Sequence, residues 1–267
     1  MTFSYGGAAG HALDGITAAI DRGGFTAVIG PNGSGKSTLA RHINGLLLPL
    51  AGSVTVAGMD TRNPRCIPEI RRRVGFVFQN PDNQLVGATV EEDIAFGPEN
   101  LGHSPASIRE SVDFAMEVAG IKDLAGRAVH TLSGGQKQQL AIAGALAMRT
   151  ECLVLDEPTS MLGPAGRRAV MDLIRKLAAG LGMTVILVTH FMEEAVFAGR
   201  VLVLHRGRIV MDGTPAEVFK SYGLLSGMGL ELPGPADLAR RLRMYGVTLP
   251  DPVLTVDELV TCLCRLL

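Results

Sequence analysis

Tryptophan is absent from this 267-residue sequence and aromatic residues make up only 4% of it, so the stacking platforms that hold single-stranded nucleic acid are missing. An excess of either charge is lacking too. With 25 Lys+Arg against 26 Asp+Glu, the formal net charge is −1, and no overall field draws in a polyanion. The longest basic cluster, Arg71-Arg72-Arg73, precedes an apolar strand pattern and reads as the solvated end of a helix. Cysteine is scarce: Cys66, Cys152, Cys262 and Cys264 fit no zinc spacing, and reduced thiols are expected. Hydrophobic content is high at 47%, with mean hydropathy +0.27, yet no apolar run approaches the roughly 18 residues of a spanning helix. No basic-then-apolar leader opens the sequence, so a cytosolic location is expected.

Glycine, by contrast, is plentiful, and it is densest in Gly30-Pro31-Asn32-Gly33-Ser34-Gly35-Lys36-Ser37-Thr38. The spacing is G-x-x-x-x-G-K-[ST], and it follows the apolar run 25–29, which reads as a buried strand. Such a loop cradles phosphate. Its glycines accept backbone angles that a Cβ forbids, so successive amides converge on one anion. Lys36 can reach the β- and γ-phosphates, Ser37 offers a hydroxyl to Mg²⁺, and the helix beginning here points its positive end at the phosphates.

In chain order, residues 1–5 alternate as a strand end does, and Tyr5 closes that pattern before the loop 6–10. Tyr5 could stack on an adenine or simply pack. After the apolar segment 13–20 and the phosphate loop, a helix is expected over 37–48, then short strands over 53–56 and 74–78, with Gln79 immediately after the second. Residues 80–131 are punctuated by Gly and Pro and carry helical patterns near 90–96 and 106–119, which makes them a helical insertion. Leu132-Ser133-Gly134-Gly135-Gln136 opens a helical run over 139–148. A Ser and two glycines at a helix start can be a second anion site or a plain N-cap.

Two further apolar strands are expected. The strand 152–156 ends in Asp156 with Glu157 next, a carboxylate pair placed to hold Mg²⁺ and to polarise a water. The strand 184–189 delivers His190 to the same sheet edge, where it could face a γ-phosphate. A hairpin around residues 205–207 follows, then short helices over 216–220 and 236–245 and a last one capped at Thr255 and running to 266. These fifty or so residues are too few for an independent core and should pack on the main domain or on another subunit.

With Tyr5, Gly30 to Thr38, Gln79, Leu132 to Gln138, Leu153 to Glu157 and His190 in that order, the chain resembles the ATP-binding cassette (ABC) family over about residues 1–215. Residues 78–85 and 89–97 are more narrowly similar to the ATPase subunits of energy-coupling factor transporters, the cobalt, nickel and vitamin uptake branch. The resemblance implies an α/β fold with a P-loop NTPase ABC-ATPase domain over 1–215: a mixed sheet core, a helical subdomain about 80–145, and a small helical C-terminal extension over 216–267 that holds a dimer together. It implies ATP and Mg²⁺, a second ATPase subunit in a homodimer or heterodimer, a membrane-embedded coupling subunit, a substrate-binding membrane subunit, and a place on the cytoplasmic face of the cell membrane.

On this pattern Lys36, Gln79, Glu157 and His190 are catalytic, and Ser37, Gln79 and Asp156 face the metal. Tyr5 stacks on adenine, while Ser133, Gly134, Gly135 and Gln136 bind the partner's nucleotide, Ser133 and Gly135 meeting its γ-phosphate. Two departures stand out: a shortened first strand, and Leu162-Gly163 where the family has Leu-Asp. The second keeps open a weakly hydrolysing regulatory half of a heterodimer. A soluble cassette acting on nucleic acid or ribosomes is the other alternative, but only 97 positions separate Lys36 from Ser133, with no long heptad run between them.

Overall fold

The computed structural model describes residues 1–6 and 10–265. The apolar run 25–29 is strand β1 (Phe25–Ile29), buried at every position. It leads through the glycine loop into α1 (Lys36–Ile43). That helix stops five residues short of the expected end. Asn44 caps it, Gly45 takes φ +68°, and the amides of Leu46 and Leu47 both turn back to the Arg41 carbonyl. The expected strand over 53–56 shrinks to β2 (Thr55–Val56), which pairs with β3 (Met59–Asp60) around Ala57 and Gly58, both at positive φ. The alternating N-terminus forms isolated bridges only, Thr2 with Ala51 and Phe3 with Leu13. Of the loop 6–10, residues 7–9 lie outside the described residues.

Helix α2 (Ile67–Arg73) ends in the three arginines, of which Arg71 and Arg72 are exposed, and strand β4 (Val74–Val77) follows directly. The insertion then builds α3 (Val90–Asn100), α4 (Pro105–Ala119) and α5 (Gly134–Ala147). Each of these helices begins at a side-chain cap: Thr89 and Ser133 in reciprocal boxes with Glu92 and Gln136, and Ser104 ahead of Pro105. Helix α5 starts five residues before the expected run because Ser133 itself is its N-cap.

Strand β5 (Cys152–Asp156) leads to α6 (Pro164–Gly180), an amphipathic helix that the reading along the chain left unnamed. Strand β6 (Thr184–Val188), the single-turn α7 (Met192–Ala195), and the hairpin β7 (Arg200–His205) and β8 (Arg208–Gly213) complete the sheet. Its order is β4-β5-β6-β1-β7-β8, parallel except for the β7–β8 edge. Strands buried on both faces read as unbroken apolar runs, which is why β1, β5 and β6 are visible in sequence. The sheet splits the core in two. One side holds Leu140, Leu155, Ile174 and Leu187 with the insertion; the other holds Leu13, Leu39, Val154 and Ile186 beneath α1.

The tail forms α8 (Pro215–Lys220), α9 (Tyr222–Gly227), α10 (Gly234–Met244) and α11 (Val256–Cys264). Leu266, the expected end of α11, lies outside the described residues. Val218, Phe219, Leu225, Leu230, Leu232 and Ala236 join the larger core, whereas Ala239, Leu249, Val253 and Leu259 make a small cluster of their own. Among the described residues no helix is long and apolar enough to cross a membrane.

Candidate functional site

Parallel strands deliver their carboxyl ends to one edge, and the loops there carry the predicted residues. The phosphate loop is built around backbone that only glycine tolerates. Gly30 has φ +154° and Gly35 φ +104°; a Cβ on Gly30 would lie 2.2 Å from the Leu204 carbonyl oxygen, and one on Gly35 2.5 Å from that of Ala12. The hairpin turn clips the loop from outside, as the Gly207 amide donates to the Ser34 carbonyl. Within it, the Ser34 hydroxyl is buried without a hydrogen-bond partner. Lys36, 5% exposed, donates to the carbonyls of Gly30 (2.8 Å) and Pro31 (3.2 Å). Burial pushes its ammonium pKa down, against the opposing pull of Glu157 and Asp156.

Register brings the acids in from far along the chain. Strand β5 runs beside β6, and β6 beside β1, so Asp156 meets the start of α1: Ser37 Oγ donates to Asp156 Oδ1 at 2.7 Å. Burial raises the Asp156 carboxyl, and the Ser37 bond works the other way. A hydroxyl beside a carboxylate is a hard oxygen donor pair that suits Mg²⁺. Among the described residues no group of three or more His, Cys, Asp or Glu could hold a metal ion, so a cation here would share its coordination with phosphate oxygens and water.

Two of the predicted catalytic residues, Gln79 and His190, converge on Glu157. Its Oε2 lies 3.1 Å from His190 Nδ1 and accepts from Gln79 Nε2 at 3.3 Å, and Gln79 Nε2 also reaches Ser160 Oγ at 3.2 Å. Its backbone sits at φ +50°, a left-handed conformation that costs a side-chain-bearing residue of order 1–3 kcal/mol and survives only where surroundings hold it. The Glu157 amide donates to Val188 O, and Ser160 closes the turn onto Glu157 O through both its amide and its hydroxyl.

Tyr5 stands beside the loop, 43% exposed. Its hydroxyl lies 3.2 Å from Thr38 Oγ1, and its ring meets Phe3 edge-on at 5.0 Å. Ser133, Gly134, Gly135 and Gln136 are at the start of α5, and no hydrogen bond among the described residues joins them to the loop. Ser133 caps α5: its Oγ accepts from the Gln136 amide and its own amide donates to Gln136 Oε1. Gly135 packs so tightly on α6 that an added Cβ would lie 3.1 Å from Gly166 Cα. Reading along the chain missed Ser160, which bonds the Glu157 carbonyl and the Gln79 amide, and the buried Thr159, Thr189 and Glu194, whose side chains bond together; none has a local pattern that would have marked it.

A family profile described as ABC transporter matches residues 13–160. Among curated relatives, the energy-coupling factor transporter ATP-binding protein EcfA1 of Symbiobacterium thermophilum is 57% identical over 96% of this chain and 89% of its own length. The protein of the same name from Lacticaseibacillus paracasei is 45% identical over 100% of this chain and 95% of its own. Among solved structures, cbiO1 of Clostridium perfringens, described as part of the ABC transporter complex cbiONQ, superposes with TM-score 0.78 at 36% identity, covering 92% of this chain and 96% of that one. A dimeric ATP-binding cassette in a post-hydrolysis state with ADP and Pi gives TM-score 0.71 at 31% identity, over 80% and 95%.

Proposed function

The chain belongs to the ABC transporter family, and we propose that it is the ATP-hydrolysing subunit of an energy-coupling factor type importer, powering uptake of a vitamin or transition-metal ion through membrane partners. The observation that carries the reading is the meeting of Gln79 and His190 at one oxygen of Glu157, on the sheet edge that also bears the phosphate loop.

In this mechanism the amides of Gly33 and Gly35 and the Lys36 ammonium hold the β- and γ-phosphates of ATP. Lys36 exchanges its loop carbonyls for phosphate oxygens. Mg²⁺, held by Ser37 and Asp156 with Gln79 alongside, supplies charge neutralisation when bound. Glu157 accepts hydrogen bonds and orients the attacking water, and His190 fixes the Glu157 carboxylate while facing the γ-phosphate. Phosphoryl transfer asks for positioning and charge stabilisation, and these residues provide both. Tyr5, exposed above α1, takes the adenine face. Ser133 and Gly134, exposed at the start of α5, and the half-buried Gly135 beside them are offered to the nucleotide of a second ATPase subunit. The tail 216–267 serves that dimer, and the assembly sits on the cytoplasmic face of the membrane through its coupling subunit.

The test is affinity purification of the tagged protein from detergent-solubilised membranes of its own cells, with ATPase assay of what is recovered. Co-purification of a membrane coupling subunit and a small substrate-binding membrane protein is the expected result. Recovery of soluble nucleic-acid or ribosomal partners alone would overturn the transporter reading.

A further inference from the structure

Glu194 is 3% exposed and has no part in the steps above. Its Oε1 accepts from Thr159 Oγ1 at 2.5 Å and its Oε2 from Thr189 Oγ1 at 2.6 Å, and both hydroxyl residues are 1% exposed. An ionised carboxylate only accepts, so both hydroxyls donate, and Thr189 Oγ1 in turn accepts from the Phe191 amide at 3.0 Å. Thr159 stands two residues after Glu157, and Thr189 immediately before His190. One carboxylate therefore ties the loop after β5 to the end of β6, and those two segments carry the groups that meet at Glu157 Oε2.

Burial raises the Glu194 carboxyl pKa, the two threonine hydroxyls lower it, and Arg167 and then His190 add weaker pulls in the same direction. Arg167 is otherwise occupied, its guanidinium stacked 3.6 Å from the centre of the Phe191 ring. A buried carboxylate bonded only to neutral hydroxyls is a poor way to stabilise a fold, since apolar side chains of similar volume do as well or better. What it does supply is two strong, directional bonds to two different segments. Glu157, with its positive φ, needs that kind of external hold.

We propose that Glu194 is a positioning residue for ATP hydrolysis: by bracketing Thr159 and Thr189 it sets the spacing and orientation of Glu157 relative to His190. The proposal rests on the reading of Glu157 and His190 as the hydrolytic pair. Nucleotide binding is a separate matter, because among the described residues no hydrogen bond joins either threonine side chain to the phosphate loop.

The experiment compares Glu194→Gln, Thr159→Val and Thr159→Ser in the assembled transporter, with Glu157→Gln in parallel. It measures kcat, KM for ATP, and equilibrium binding of a fluorescent ATP analogue. For Glu194→Gln the expected result is a kcat lower by about tenfold or more, with KM and analogue affinity within about twofold of the unmodified protein. Thr159→Val should fall similarly, Thr159→Ser should retain near-normal turnover, and Glu194→Gln/Thr159→Val should be no slower than the slower single variant, because both cut one bracket. An unchanged kcat in folded Glu194→Gln, or losses that multiply in the double variant, would overturn the proposal. If Glu194→Gln does not fold, the Thr159→Val and Thr159→Ser pair decides alone: equal turnover in the two overturns it. Full turnover in Glu157→Gln would instead bring down the underlying reading of the pair.

Discussion

Glu157 carries a side chain through a backbone conformation that glycine takes far more cheaply, and its carboxylate gathers the Gln79 amide and the His190 ring. Replacing it with Gln leaves the Cβ and the backbone demand as they are and removes only the charge and one acceptor. Fold and ATP binding should therefore persist while water orientation is lost. Turnover is expected to drop by about 10²–10⁴-fold, as for loss of a positioned acid–base group, and ATP should stay bound in a stable dimer. Size exclusion with labelled ATP checks this, and turnover near the normal rate would refute the role given to Glu157.

Among the elements, α6 begins at the departure from the family pattern. Gly163 is its N-cap, at φ −67° and ψ 168°, with no side-chain cap and open space where a Cβ would sit. A glycine's backbone freedom goes unused here, since this conformation suits any residue. Gly163→Asp should fold normally and cap the helix, changing stability by only a few tenths of a kcal/mol. A change in ATPase rate or Hill slope in the assembled complex would then belong to the carboxylate itself; an unchanged rate and slope would show the departure to be neutral.

The β7–β8 hairpin carries a pH-dependent tie. Arg200 donates two bonds of 2.7 Å to Asp212, and the guanidinium holds the Asp212 carboxyl below its ordinary value. A depressed carboxyl stabilises the fold above its unfolded-state pKa and loses that contribution as pH falls through the folded one. Asp212→Asn should thus cost at most about 1 kcal/mol at pH 7, the pair being solvated. Denaturant melts at pH 7 and pH 3 should show the gap between variant and parent closing at the lower pH.

For the molecule as a whole, what could be read from the sequence follows from range. Strands β1 and β5 match their expected bounds because burial on both faces makes them unbroken apolar runs. The phosphate loop is equally legible, since its chemistry is contained in nine consecutive residues. Helix ends were read less well: α1 fails at Gly45 and α5 begins at its cap. The Glu194 bracket was invisible. Its partners lie 35 and 5 positions away and meet only through the pairing of β5 with β6, which no local pattern announces.

The strand order has a consequence during synthesis. Because β1 lies between β6 and β7, the phosphate loop leaves the ribosome well before the strands that flank it. Its counterparts come much later, Asp156 standing 119 residues beyond Ser37 and His190 later still. Contacts of such separation close slowly and late. On the mechanism proposed above, a nascent chain exposes the loop that grips phosphate but lacks Glu157 and His190 in place until β6 has docked, so ATP hydrolysis begins only with a finished sheet.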